Sequence, residues 1–202
     1  MCVKSRDEAR QLGAALQALL ADVTGDTVND DVIASVAIVA SRTAPVSILG
    51  IPFGGDNHFD TGLADEIEQT TTAVSQINNM WSRLSALGVA DQVTYAQMNV
   101  FGRNLILNNN GGRNHNPQHS VMLMFGPKVK AGVTGDVRPT SDVHGGEATG
   151  INSTTGRPGG ADISREDTLA SATKTLMKAC GLADGDINSR VTTGKIVTGS
   201  LV

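Results

Sequence analysis

"PVSILGIPF", residues 45 to 53, is the stretch on which the fold reading turns. It begins at a proline, runs almost continuously apolar, and stops at Gly54-Gly55. An apolar run of this length fits a strand buried on both faces, which a parallel sheet covered by helices provides. Residues 46–53 therefore read as a buried strand. "QVTYAQM" (92–98) and "SVMLMF" (120–125) read as further strands, and a short strand closes the chain around "GKIVTGSL" (194–201).

Helical periods separate these runs. Leu12, Leu16, Leu19 and Val23 mark an amphipathic helix over 7–22. Asn29 is the candidate N-cap of a second, which runs through Val32, Ile33, Val36 and Val39 to about Ala40. Leu63, Ile67, Val74, Ile77, Trp81 and Leu84 give a long helix that stops at Gly88, with Trp81 assigned to the core. Ser164, with Asp167 three residues on, has a capping-box pattern. The helix it opens puts Leu169, Ala172, Leu176 and Cys180 on one face, with Cys180 a buried small hydrophobe, and Gly181 ends it. Strands alternating with helices predict an α/β fold with a mainly parallel sheet flanked by helices. Residues 126–162 have little periodicity and read as a long functional or surface loop.

Composition narrows the class. The 202 residues suit one domain with one core, and apolar residues at 40% against 18% charged argue for a folded chain. A net charge of −4 without basic blocks, and 3% aromatics, leave neither an electrostatic footprint nor a stacking platform for nucleic acid. No apolar run approaches the roughly 20 residues of a membrane span. Cys2 and Cys180 form neither a disulfide framework nor a CxxC pair.

Two loops carry the candidate chemistry. "IPFGGDNHFD" (51–60) and "GGRNHNPQH" (111–119) both pair Gly-Gly with a histidine beside an apolar run. In an α/β sheet such loops lie at the carboxyl ends of strands, where ligands bind. Asp56 and His58 are two apart, so an extended backbone points both to one face, within reach of a single ion. His115 is the best ligand candidate of the second loop, and Arg113 offers a planar fork for an anionic oxygen. His119 is either a packed or a supporting histidine, and His144 in "SDVHGGE" reads as exposed. Arg103, in "VFGRNLILNNNGG", sits before an asparagine-rich loop that either binds an anion or simply turns. Either the loops converge on a ligand or they are ordinary polar turns.

The order "GGDNH", long helix, "MNVFGRN", "NNNGGRNH", strand, "GPKVKAG" and "DISREDTLASATKTLMKACGL" resembles the bacterial family known as domain of unknown function 1501, of the alkaline-phosphatase and sulfatase superfamily. That family's pattern reads G-W-D-T-H, then E-F-G-R-T-P, then G-G-R-D-H-x-P. The resemblance implies an alkaline-phosphatase-like fold of which residues 1–202 are the C-terminal half. It also implies a missing N-terminal half or partner subunit, association into an oligomer, and export to the periplasm or beyond. Asp56 and His58 match the D-T-H pair, His115 the last histidine, Arg103 the F-G-R arginine and Arg113 that of G-R-D-H. A single zinc-like divalent metal on Asp56, His58 and His115 is then expected, with Arg113 and Arg103 neutralising charge. Val100 and Asn114 stand where the family has acids, which depletes a second metal position. Two functions follow: a metal-dependent hydrolase of phosphate or sulfate esters, or a non-catalytic structural or binding protein.

Overall fold

The Asp26 carboxylate accepts hydrogen bonds from the Val28 and Asn29 backbone N–H groups, so a helix starts here one turn earlier than Asn29 predicts. The computed structural model describes residues 2–202, apart from the side chains of residues 2–5 and 8. It contains two units, residues 1–56 with 63–91, and residues 57–62 with 92–202.

The first unit is helical: α1 (Cys2–Leu20), α2 (Thr27–Ala40) and α3 (Ala64–Ala86). Its core joins Val32, Ile33, Val36 and Ala40 of α2 to Ala73, Ile77, Met80 and Leu84 of α3, with Leu19 of α1. The spacing on α3 is that of a single helical face. That face is rotated from the predicted one: Ile67 and Val74 are exposed, and Trp81 is half-buried rather than in the core. Arg83 bridges α3 to Asp22 at 2.6 Å.

"PVSILGIPF" corrects the fold prediction. Residues 46–53 form no strand, Ile48 is 94% exposed, and the Ser47 hydroxyl donates to Ser35 Oγ on α2. Pro45 and Pro52 lack the N–H that a central strand must donate, and no neighbouring strand offers a ladder. The apolar run is irregular chain tied to α2 through Ser47, and five of its nine residues are exposed.

The second unit is built from antiparallel pairs. β1 (Tyr95–Met98) pairs with β4 (Met122–Phe125), β2 (Gly102–Arg103) with β3 (His115–Asn116), and β5 (Val137–Pro139) with β6 (Gly146–Ala148). Among the described residues the sheets are these three two-stranded ones, so the mainly parallel, alkaline-phosphatase-like sheet is not present. Two predicted strands do form, in shortened versions, but they pair with each other, and Tyr95 stacks on Phe125 at 4.8 Å. The predicted closing strand is instead a 3-10 turn at Thr198–Ser200, followed by a single bridge from Leu201 to Val129. Residues 126–162, read as loop, contain the β5–β6 hairpin. Glu147, at the middle of β6, is buried and receives both Arg138 and Arg165.

Ser164 caps as predicted, accepting from Asp167 N, and a 3-10 turn leads into α4 (Thr168–Ala179) and then α5 (Asp184–Arg190). The buried face of α4 is not the apolar one. Leu169 is exposed, while Ser171, Lys174, Thr175 and Ala179 are buried. Their polar atoms hold the backbone of the following segment: Lys195 N donates to Ser171 Oγ, Val197 N to Thr175 Oγ1, and Lys174 Nζ to Gly194 O. Gly194 fits because a side chain there would strike Ser171. Cys180 is exposed, not buried, because the helix has ended and it occupies the C-cap. Among the described residues no helix is long and apolar enough to cross a membrane.

Ile33 is fully buried, so Ile33→Ala should cost about 2–5 kcal/mol in urea unfolding of the full chain. Ile48→Ala should change stability by less than about 0.5 kcal/mol, where a buried strand would have lost several times that.

Candidate functional site

Asn108 organises the site. Its Oδ1 accepts from Asn110 N and Gly112 N, which shapes the Gly-rich turn. Its Nδ2 donates to His58 O and to Asn114 Oδ1, both at 3.0 Å, so one amide ties the turn to the other loop. Beside it, Arg113 N donates to Asn57 O at 2.7 Å. That approach requires glycine at 112, where a Cβ would lie 2.1 Å from Asn57 O. Asn57 itself is buried.

This contact brings two predicted residues together. The His58 and His115 rings lie 4.7 Å apart, tilted by 57°. His115 stacks on Phe101 at 3.7 Å, and the Arg103 guanidinium lies 5.4 Å from the same ring's centre. The β2–β3 register, with Arg103 opposite His115, produces that stack. Arg103 Nη1 also donates to Arg113 O, and Arg113 Nε is buried without a hydrogen-bond partner. The surface is thus imidazole, guanidinium and phenyl, on a rigid amide framework.

Asp56 is exposed and belongs to the first unit, whereas His58 and His115 belong to the second. Among the described residues no group of three or more His, Cys, Asp or Glu side chains is placed to hold a metal ion. Val100 is 92% exposed, and the Asn114 side chain is held by Asn108. His144, read as exposed, is half-buried, and its carbonyl accepts from Leu105 N.

Phe101, Asn57 and Asn108 were not singled out as functional residues in the sequence. The only signal for Asn108 was its position at the head of three consecutive asparagines before Gly-Gly, which marks a turn without naming its partner. Comparisons with protein-family models, curated proteins and solved structures each return no match. The resemblance drawn from the motifs therefore rests on those motifs alone.

His119, between β3 and β4, has an imidazole shifted by its surroundings. Burial, chiefly, and the neighbouring His144 push its imidazole below the ordinary value of 6.5, against a hydrogen bond to the Gly146 backbone. With the folded value lowered, the unfolded chain binds the proton more readily. Its contribution is fully present above about 6.5 and is lost as pH falls through that value toward the lowered one. Unfolding midpoints measured from about pH 8 to about pH 5 should fall, and His119→Gln should flatten that decline.

Proposed function

We propose that the chain binds the oxyanion of a phosphate or sulfate ester without turning it over, through His58, His115 and Arg113. The observation that carries this reading is the buried, unpartnered Nε of Arg113, two residues along the chain from His115, which stacks on Phe101 with its ring 4.7 Å from that of His58. An N–H donor left without an acceptor in a buried position favours a ligand that supplies oxygen lone pairs. Two imidazoles are further donors when protonated, and a guanidinium adds a planar fork suited to a tetrahedral oxyanion.

Hydrolysis is the second reading, and the approach of His58 to His115 favours it, because two imidazoles are half of a catalytic zinc set. The two readings separate in one experiment. The full chain is titrated with inorganic phosphate and sulfate by calorimetry, then assayed on p-nitrophenyl phosphate and p-nitrophenyl sulfate with and without added zinc. Saturable anion binding without turnover is expected, weakened by about 1.5–3 kcal/mol in Arg113→Lys, the worth of a hydrogen bond to a charged group. Zinc-dependent turnover that disappears in Asp56→Asn would establish the hydrolase instead.

The same reading includes a partner subunit. It is supported by Met98, Val121 and Leu123, which are exposed on and beside a ribbon of only two strands, a structure that is marginal in water by itself. Light scattering on the purified chain should give a mass above that of the 20.9 kDa monomer. Export to the periplasm or beyond belongs to this reading through the motif resemblance alone.

A further inference from the structure

A groove of about 380 Å³ lies within the first unit, beside α3. Small-molecule pockets span roughly 300–1,000 Å³, so it is large enough for one. Part of its lining is a stripe on α3, where Asp65, Glu68, Thr72 and Gln76 follow at helical spacing and share a face. Asp26 and Val28 at the start of α2 join it, with Ile51 and Pro52 of the apolar run that forms no strand. Gly55 brings the chain after that run onto α3, since a Cβ there would lie 2.4 Å from Gln69 Nε2.

The lining sets the sign of an occupant. It includes three carboxylates, on Asp26, Asp65 and Glu68, and no lysine or arginine. Asp26 and Asp65 also serve the N-terminal turns of their helices, but Glu68 is a turn further along. Both cap bonds to Asp26 use Oδ1, which leaves Oδ2 for another donor. Asp65 and Glu68 are three apart on one helix, so their charges repel until a cation comes between them. Gln76 Oε1 is buried without a donor, and the soft last torsion of glutamine can turn it toward the groove.

The spacing decides between a metal ion and an organic cation. From Asp65 to Gln76 the stripe runs about 16 Å, at about 1.5 Å rise per residue. Acceptors spread over that length suit a chain rather than a point charge. Among the described residues no three His, Cys, Asp or Glu side chains are grouped to hold a metal ion. Val28, Ile51, Pro52 and the buried Ala73 offer apolar wall to methylenes between charges. We propose that this groove binds an aliphatic polyamine, with Asp26, Asp65 and Glu68 taking its ammonium groups and Val28, Ile51 and Pro52 its methylene chain. The site shares no residue with the oxyanion reading and stands or falls independently of it.

The test titrates the full chain with spermidine by calorimetry at low ionic strength. One equivalent should bind saturably. Glu68→Gln should weaken binding about ten-fold or more, the worth of a hydrogen bond to a charged group. Asp26→Asn, whose amide oxygen keeps the helix cap, should do likewise. Both residues are exposed, so neither variant disturbs the core. Asp186→Asn, which removes a negative charge on α5 outside the groove, should leave binding unchanged. Absence of saturable binding, equal losses in Asp186→Asn and Glu68→Gln, or displacement of spermidine by an equal concentration of Mg2+ would overturn the assignment.

Discussion

One backbone hydrogen bond, from Arg113 N to Asn57 O, sets the geometry of the candidate site. It exists because residue 112 has no side chain, and Asn108 makes it rigid by bonding both sides of the contact. A single amide that satisfies four polar groups is a small cluster whose members depend on one another. His58 and His115 meet as a consequence, and β2–β3 pairing then fixes which face of His115 rests on Phe101.

The second unit uses polar side chains where a larger protein would use apolar ones. Ser171, Lys174 and Thr175 replace a hydrophobic stripe on α4 and dock the backbone of 194–197 instead of another side chain. Asp162 joins Lys195 to Ser153 in the same way, and these partners, Lys195 first, hold its carboxyl well below the usual range. Glu147 gathers Arg138 and Arg165 at the hairpin. With strands of two to four residues there is little sheet surface to bury, so satisfied hydrogen bonds must position the loops.

Arg113 Nε is a buried donor without an acceptor, which fits an anion. It lies in the residue before Asn114-His115, where the chain enters β3.

The sequence by itself determined α1 to α4, because caps and helical periods are local: Ser164, Gly88 and Gly181 act within a few residues of the helices they bound, whereas the seven residues of α5 are too short to show a period. It also singled out the two Gly-Gly loops and their histidines. Tertiary structure decided the rest. An apolar run such as 45–53 is compatible with a buried strand or with irregular chain tied to a helix, and only the presence of a pairing partner chooses between them. The same holds for β1 and β4, whose antiparallel pairing no local pattern encodes. The face of α4 that is buried and the partner that Asn108 reaches fifty residues away both depend on groups distant in the chain.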